Sequence, residues 1–389
     1  MNDMRRIGIF GGTFNPIHQG HLHLAAGFYQ QLGLSEVILI PDYTPPHKAT
    51  DELADGEDRY NLCRIAAHGI PYISVSDYEL RRQTKSFTVY TLEHFAALYP
   101  NDELCLLMGS DMFFTMESWH QAPRIFELAT LCAGARNAGE YEKLLSYAEI
   151  LGKKGARAEV ISIDALSVSS TEIREAIKAG SSSPKGLPDA VQRYIKTVCL
   201  YTQERPEVLT YKSLLADMLS PKRYYHSLCV AKEAAALAVI FGADAQKAYT
   251  AGLLHDIAKD MSTEQQLQML AKFDIILSDV EERSKQLWHP IVGAVYVQHM
   301  LSINDTEIIN AIRYHTTARK GITLLEMIIY LADCISFDRD YPDAAILREK
   351  INHSLQDAML SALSLTIQSL AKRDSLIHID TIEAYNDLC

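Results

Sequence analysis

Residues 8–21 of the chain, GIFGGTFNPIHQGH, contain a pair of glycines and a pair of histidines at a spacing that could support catalysis. Gly11 and Gly12 follow a short apolar run, and His18 and His21 stand three residues apart where a helical pattern begins. Glycines let a backbone approach a phosphate closely, and a helix start offers unpaired N–H groups and a positive dipole end. The string therefore predicts a nucleotide triphosphate site that stabilises charge during group transfer. The alternative is an ordinary strand-to-helix turn with surface histidines.

A second set of such residues lies in the other half of the chain and consists of histidines and aspartates. Its members are His226, His255, Asp256, His289, His315 and Asp333. They are separated by gaps of 29, 33, 26 and 18 residues around the adjacent His–Asp pair, so each falls on a different helix or helix end. Imidazole and carboxylate together suit Fe, Mn, Co or Zn rather than Ca²⁺. For any one histidine a structural role is the alternative, and His299, His353 and His378 are assigned no role.

Composition limits the classes of protein to consider. The 389 residues are 48% hydrophobic and 22% charged, which indicates a globular chain of two or three domains. A net charge of −12 argues against nucleic acid or an anionic membrane as a main partner, but leaves small nucleotides open. The seven cysteines form no CxxC pair, and neither a signal peptide nor a membrane span is evident. We therefore expect a cytoplasmic protein with reduced thiols.

The pattern of secondary structure changes class near the middle of the chain. The first 200 residues alternate short apolar runs with helical patterns, which predicts an α/β domain with a doubly wound, Rossmann-like parallel sheet. The strands are predicted at Arg6–Phe10, Glu36–Ile40, Tyr72–Val75, Glu103–Met108, Thr130–Ala133 and Glu159–Ile161. Beyond Leu209 only helical patterns follow, for example Ala231–Phe241, Ala245–Ile257, Glu307–Tyr314 and Leu324–Ile335. We predict one domain over residues 1–203 and an all-α domain over 210–389.

The opening string resembles the (H/T)xGH signature of the nucleotidyltransferase superfamily, and its GGTFNPIHxGH form is similar to nicotinate-mononucleotide adenylyltransferases. Val168–Arg174 (VSSTEIR) resembles the segment of that family that binds the triphosphate, and the resemblance extends over roughly residues 6–200. It implies transfer of AMP from ATP to nicotinate mononucleotide, with Mg²⁺, giving deamido-NAD and pyrophosphate. It also implies that His18 and His21 act at the α- and β-phosphates, and Arg174 with Thr171 at the leaving pyrophosphate.

Further substrate contacts are expected along the same half of the chain. Lys48 follows the second strand and could meet a phosphate, Asp111 follows the fourth and could hold a ribose hydroxyl, and Thr88 and Trp119 fall where relatives receive the mononucleotide. The full predicted substrate set here is Gly11, Gly12, Thr13, Phe14, Asp42, Lys48, Thr88, Gly109, Asp111, Trp119, Arg136, Ser170 and Thr171. At Asp42 many relatives carry asparagine, so the preference for nicotinate over nicotinamide stays open.

The second half resembles the HD phosphohydrolase superfamily, whose H…HD…D ligand set matches His226, His255, Asp256 and Asp333. Strings such as LHDIAK around the pair, WHPIVG around His289 and YHTT around His315 are similar to YqeK-type members, over about residues 215–370. The resemblance implies symmetrical hydrolysis of diadenosine tetraphosphate to two ADP. It implies two transition metals, iron first with manganese, cobalt or zinc as alternatives, and His289 and His315 as ligands of the second. Asp256 is then both a ligand and a catalytic residue, and Lys259 and Arg339 could hold phosphates.

Several alternatives remain open at this point. The first half could take another mononucleotide acceptor. The second half could act on another nucleotide, or could be a nucleotide-sensing module that regulates the first. The expected partners are ATP, nicotinate mononucleotide and diadenosine tetraphosphate, without nucleic acid or membrane. The oligomeric state is undetermined, with a homo-oligomer among the options.

Overall fold

The computed structural model describes residues 4–43, 53–164 and 166–389, and the chain divides into two units, Met1–Gln192 and Arg193–Cys389. The division falls inside a helix, Asp189–Val198. The domain limits expected from the sequence, 1–203 and 210–389, place that whole helix in the first domain, and this assignment stays a prediction.

Short runs of buried apolar residues form one parallel sheet in the first unit. The strands are β1 (Arg6–Gly12), β2 (Glu36–Pro41), β3 (Ile73–Val75), β4 (Glu103–Gly109), β5 (Thr130–Ala135) and β6 (Ala158–Ser162). All neighbouring strands are parallel, in the order β3-β2-β1-β4-β5-β6. The predicted strands and the doubly wound α/β class are confirmed, with strand ends differing by at most two residues.

Helices cover both faces of this sheet because strand side chains alternate between the faces. The helices of this unit are α1 (Gln19–Leu32), α2 (Gly56–Ala67), α3 (Tyr78–Arg82), α4 (Thr88–Leu98), α5 (Ser110–Phe113), α6 (Ala122–Leu128), α7 (Ala138–Gly152) and α8 (Ser170–Lys178), with a 3₁₀ turn at Met116–Ser118. The helix that crosses the division between the units is α9 (Asp189–Val198). On one face Ile9 and Leu131 pack with Phe95 of α4 in the main core. On the other, Gly134 of β5 leaves room for α1, since a Cβ there would lie 2.8 Å from Leu24 Cδ1.

The strand order determines where a ligand can bind. The chain runs outward from β1 to β2 and β3 on one side, and from β4 to β5 and β6 on the other. The loops after β1 and β4 therefore diverge to opposite faces and leave a crevice at the carboxyl ends of these two adjacent strands. The string of glycines and histidines follows β1, so this topology places it at the crevice.

The second unit is helical in every segment that forms regular structure. Its helices are α10 (Pro206–Met218), α11 (Pro221–Phe241), α12 (Ala245–Leu254), α13 (Thr263–Lys272), α14 (Asp279–Arg283), α15 (Trp288–His299), α16 (Thr306–Arg313), α17 (Leu324–Ile335), α18 (Pro342–Ile351), α19 (Leu355–Lys372) and α20 (Ile379–Leu388), with a 3₁₀ turn at Lys285–Leu287. The predicted all-α class is confirmed. Within the three described ranges of the chain, no helix combines the length and apolar character needed to cross a bilayer.

The predicted start of α11 at Ala231 is wrong, because the helix begins ten residues earlier at Pro221. Ser220 is its N-cap and Pro221 occupies the first turn, where a missing N–H costs nothing. The first two turns, PKRYYHS, are polar and give no apolar periodicity, which is why the pattern predicted only the buried, alanine-rich remainder. This extension places His226 inside the helix rather than ahead of it.

Helices α11 and α12 pack in direct backbone contact. A Cβ on Gly252 would lie 3.0 Å from both the Cα of Ala231 and the carbonyl oxygen of Val230. Small residues on α11 and the bare backbone of Gly252 therefore determine how closely α11, which carries His226, approaches α12, whose C-cap is His255.

We predict that Gly252→Ala destabilises the chain by about 1–2 kcal/mol, because overpacking against a backbone outweighs the gain in helix propensity. Gly293→Ala is the matched control, since its nearest neighbours would lie at an ordinary 3.5 Å. Chemical denaturation of both variants measures the difference. Equal or higher stability of Gly252→Ala relative to Gly293→Ala would show that the contact does not limit the packing.

Candidate active sites

His18 and His21 lie together at the start of α1. His18 is the N-cap residue, and the two rings stack with centroids 3.8 Å apart. The backbone N–H of His18 donates to Nδ1 of His21 over 3.2 Å. Since Nδ1 of His21 accepts this hydrogen bond, the proton of its neutral ring lies on Nε2. In this tautomer Nε2 of His21 carries the N–H donor.

His18 is buried, and burial lowers its pKa to about 4. Its ring is therefore neutral at neutral pH, and its Nδ1 has no hydrogen-bond partner among the described residues. Gly20 makes space for the ring, because a Cβ there would lie 3.0 Å from His18 Cε1 and Nδ1. A buried polar atom without a partner is costly, and a bound polar ligand would satisfy it.

The two glycines ahead of this helix differ in their surroundings. A Cβ on Gly12 would lie 3.0 Å from the ring of Phe14, whose own edge packs on His21 with centroids 5.1 Å apart. A Cβ on Gly11 would meet nothing within 4 Å. Gly11 therefore exposes backbone to open space at the end of β1, whereas Gly12 allows Phe14 to support the histidine pair.

Helix α8 is tied to the loop that precedes His18. Ser170 Oγ donates to the carbonyl of Pro16 over 3.0 Å, and Arg174 Nη1 donates to the carbonyl of Asn15 over 2.9 Å. Two residues of the predicted triphosphate segment are thus held against the loop that carries the histidines. Thr171, the third, lies exposed in the first turn of α8.

A buried arginine that no sequence pattern singled out holds the neighbouring loops. Arg59 of α2 is 1% exposed and donates from Nη1 to the carbonyl of Thr13 over 2.9 Å and to Asp42 Oδ1 over 3.0 Å. Thr13 Oγ1 donates to the other oxygen of Asp42 over 3.0 Å. The charge of Asp42, the position where relatives differ, is therefore offset inside the protein. The sequence does carry a signal for the burial of Arg59, because this residue shares a helix face with the apolar Leu62, Cys63 and Ala66.

The other predicted substrate residues lie on further elements of the first unit or outside the described residues. Gly109 is the last residue of β4, Asp111 lies in α5 directly after it, and Arg136 follows β5. Asp111 Oδ1 and Arg136 Nη2 are 4.0 Å apart. Thr88 begins α4. Trp119 is partly buried against the core, and its indole N–H donates to Thr115 Oγ1 over 3.0 Å. Lys48 lies outside the described residues, and the roles of all these residues stay predictions.

In the second unit, three histidines from different elements share one backbone interaction. Nδ1–H of His255, His289 and His315 donates to the carbonyl of the residue three positions earlier, Gly252, Gln286 and Ile312, over 2.7, 2.8 and 2.7 Å. A carbonyl only accepts, so Nδ1 carries the proton and Nε2 carries a lone pair. These three rings with Asp256 are called the imidazole cluster below.

The Nε2 atoms of the imidazole cluster converge on Asp256. Oδ1 of Asp256 lies 3.1 Å from Nε2 of His289 and 3.6 Å from Nε2 of His315, and these two nitrogens are 3.3 Å apart. Nε2 of His255 is fully buried without a hydrogen-bond partner among the described residues. Such a gathering of electron-rich atoms in a buried place fits a cation.

His226 and Asp333 extend this arrangement on the other side of His255. Nε2 of His226 lies 2.9 Å from Asp333 Oδ1, and its Nδ1 lies 2.9 Å from Asp338 Oδ2. Ligand atoms of His226, His255 and Asp256 lie within 4.8 Å of one another, as do those of Asp256, His289 and His315. Asp256 belongs to both groups and so could bridge two ions.

The protonation states also fit a metal. Burial lowers the pKa of His255 and of His289 to about 4, so both rings are neutral at neutral pH. Burial opposes ionisation of Asp256, but its neighbours, His255 first and then His289, His315 and the Lys259 ammonium, outweigh it and hold its pKa well below the usual range. For His226 burial is outweighed by hydrogen bonds to Asp333 and Asp338, and its pKa rises to about 9. A bound metal would replace that proton.

Two cationic side chains border the ligands. Lys259 Nζ donates to His289 Nε2 over 2.9 Å and lies 3.3 Å from Asp256 Oδ1. Arg339 donates from Nη2 to Asp333 Oδ1 and from Nε to the carbonyl of the same residue over 2.8 Å. Both predicted phosphate-binding residues thus lie beside the predicted ligands.

Comparison with known proteins gives a separate family match in each half of the chain. The cytidylyltransferase-like family model matches residues 9–176, and the HD domain model matches residues 223–338. A Lachnoclostridium phytofermentans protein named "Probable nicotinate-nucleotide adenylyltransferase" is 36% identical over 193 residues, which are 49% of this chain and 96% of that protein. The first half of the chain belongs to the nicotinate-nucleotide adenylyltransferase family. An HD domain follows it.

Two further relatives resemble the chain beyond its adenylyltransferase half. A Mycoplasma genitalium protein named "Probable nicotinate-nucleotide adenylyltransferase/Ap4A hydrolase" is 29% identical over 335 residues, covering 86% of this chain and 88% of that protein. A crystal structure of a predicted HD superfamily hydrolase involved in NAD metabolism from Clostridium acetobutylicum is 35% identical, with a TM-score of 0.46. It covers 46% of this chain and 96% of that one.

We predict that Gly11→Ala leaves stability unchanged and weakens ATP binding about tenfold, or ~1.4 kcal/mol, because the methyl group would occupy the open space at the end of β1. Gly152→Ala, at the end of α7, is the matched control, since its Cβ also meets nothing within 4 Å. Calorimetric titration with ATP measures both variants. An unchanged ATP affinity in Gly11→Ala would show that no phosphate approaches this backbone.

Proposed function

We propose that the chain is a bifunctional enzyme. Its first unit transfers AMP from ATP to nicotinate mononucleotide, giving deamido-NAD and pyrophosphate. Its second unit hydrolyses diadenosine tetraphosphate symmetrically to two ADP. One observation carries the proposal: in each unit the backbone holds histidine rings in a fixed tautomer. In the first unit this is the ring of His21 beside His18 at the start of α1, and in the second it is the rings of the imidazole cluster around Asp256.

The first reaction needs positioning and charge stabilisation rather than a protein nucleophile. A phosphate oxygen of nicotinate mononucleotide attacks the α-phosphorus of ATP, the bond from that phosphorus to the bridging oxygen breaks, and pyrophosphate leaves with the electron pair. The start of α1 and Nε2–H of His21 offer donors to the α- and β-phosphates. Arg174 and Thr171 of α8 are proposed to hold the leaving pyrophosphate, while Mg²⁺ enters with ATP.

Charge in this site suits the proposed chemistry. The neutral ring of His18 places no competing positive charge beside the phosphates in the ground state, and it can still donate as negative charge develops. The Arg59–Asp42 ion pair keeps the carboxylate near the predicted mononucleotide site neutralised. Binding of an acidic substrate therefore does not face an uncompensated aspartate.

The second reaction is the attack of water on a phosphorus next to the central bridge of diadenosine tetraphosphate, with cleavage of the central P–O–P bond and departure of ADP. The proposed ligands are His226, His255, Asp256 and Asp333 for one ion and Asp256, His289 and His315 for the other. Divalent ions held there would lower the pKa of a water molecule and neutralise charge on the leaving phosphate. Iron is the first choice, with manganese, cobalt or zinc as alternatives.

The residues around the ligands supply the rest of the site. Lys259 and Arg339 are cations on either side of the ligands and are proposed to hold the remaining phosphates of the polyphosphate chain. Symmetrical cleavage requires that the central bridge of the substrate lie at the metals, and a cation near each ligand group supports this placement by offering a partner to the phosphates on each side.

We predict that single substitutions separate the two activities. His21→Ala should lower deamido-NAD formation about 100-fold or more, because a donor to the phosphates is lost, while hydrolysis of diadenosine tetraphosphate persists. Asp256→Ala should abolish that hydrolysis together with metal content, while deamido-NAD formation persists. Both activities and the bound metal are measured on the same preparations of the full chain.

Matched controls are available in each unit. His23→Ala removes an exposed histidine two residues from His21, and His299→Ala removes an exposed histidine outside the imidazole cluster. Both should keep both activities. Unchanged adenylyl transfer in His21→Ala would refute the first assignment. Retained hydrolysis in Asp256→Ala would refute the second, and metal binding without any turnover in the unaltered chain would favour a sensor.

A further inference from the structure

The turn between α17 and α18 brings a second carboxylate to His226. Asp338 lies five residues after Asp333, and its Oδ2 is 2.9 Å from Nδ1 of His226. Its other oxygen, Oδ1, accepts a hydrogen bond from Ser336 Oγ over 2.7 Å. The two carboxylates thus contact opposite nitrogens of one imidazole ring, Asp333 at Nε2 and Asp338 at Nδ1.

His226 differs in this respect from the rest of the site. The other three histidines each donate Nδ1–H to a carbonyl of their own helix or turn, three residues earlier. His226 lies within α11, and its Nδ1 instead meets a side chain from a distant part of the chain, 112 residues away. Its orientation therefore depends on how the turn after α17 is held.

Arg348 of α18 holds that turn through three carbonyl groups. Its Nε donates to the carbonyl of Ile335 over 2.9 Å, and its Nη2 donates to the carbonyls of Ser336 and Arg339, each over 2.8 Å. Ile335 and Ser336 end α17, so the guanidinium satisfies carbonyls that the helix leaves unpaired and complements its negative end. The backbone on both sides of Asp338 is thereby tied to one half-buried guanidinium.

We infer that Asp338 is the positioning residue of His226: it accepts the Nδ1 proton, fixes the ring orientation and directs Nε2 to the proposed metal, with Ser336 and Arg348 fixing the carboxylate in turn. A carboxylate accepts a stronger hydrogen bond than a carbonyl and increases the electron density that the ring donates through its other nitrogen. The inference rests on the proposed metal site and extends it to residues beyond the ligands.

The test is metal affinity of the full chain, measured by calorimetric titration with Co²⁺ and by the visible absorption of the bound ion. Asp338→Ala should weaken Co²⁺ binding about 10- to 100-fold. The Co²⁺ affinity of Asp338→Asn should lie between those of Asp338→Ala and the unaltered chain, because the amide oxygen of asparagine still accepts a hydrogen bond from Nδ1 of His226. Asp340→Asn, an exposed aspartate in the same turn, is the matched control and should bind like the unaltered chain.

A second background distinguishes positioning from a general structural effect. If Asp338 acts through His226, Asp338→Ala should have no further effect on Co²⁺ affinity in a chain that already carries His226→Ala. An equal loss in both backgrounds, or an unchanged affinity in Asp338→Ala, would overturn the inference. Failure of the unaltered chain to bind Co²⁺ or any other divalent transition metal would instead overturn the metal site itself. If Asp338→Ala does not fold, Asp338→Asn tests the inference instead: a reduced Co²⁺ affinity supports it, and an unchanged affinity overturns it.

Discussion

The second unit depends on one repeated interaction, the hydrogen bond from a histidine Nδ1–H to the backbone carbonyl three residues earlier. It occurs at His255, His289 and His315, and each time it turns Nε2 toward the interior. Desolvation keeps His255 and His289 neutral, so their lone pairs stay available next to the ionised Asp256. Much of the helical packing, including the close contact of α11 and α12 at Gly252, serves to bring these short local motifs to one place.

In the first unit a backbone hydrogen bond to Nδ1 also fixes the tautomer of a histidine. His18 donates its backbone N–H to Nδ1 of His21, so the ring there is fixed in the opposite tautomer, with Nε2 as the donor. Donors suit phosphate oxygens, whereas lone pairs suit metal ions. A local backbone contact thus selects whether an imidazole presents an N–H donor or a lone pair, and the two halves of this chain contain one case each.

Much of this arrangement is predictable from sequence because its signals are local. Short apolar runs predicted the six strands, and the gaps between histidines predicted that separate helices supply them. The interactions that were missed are long-range. Arg59 and Asp338 act through residues 17 and 112 positions away, and only the fold shows which loops they meet. The start of α11 was missed because its polar first turns, which carry His226, have no periodic apolar face. Lys48 lies outside the described residues, and its phosphate contact remains a prediction.

The products formed from diadenosine tetraphosphate decide whether the second unit is a symmetrical hydrolase. The full chain, with its metal content determined, is incubated with this substrate in ¹⁸O-labelled water, and the nucleotides are separated. We predict ADP as the sole product, with label in one ADP of each pair, and loss of the reaction in His255→Ala. AMP with ATP as products would contradict symmetrical cleavage. The absence of turnover by the metal-loaded chain would contradict the assignment of this site as a hydrolase.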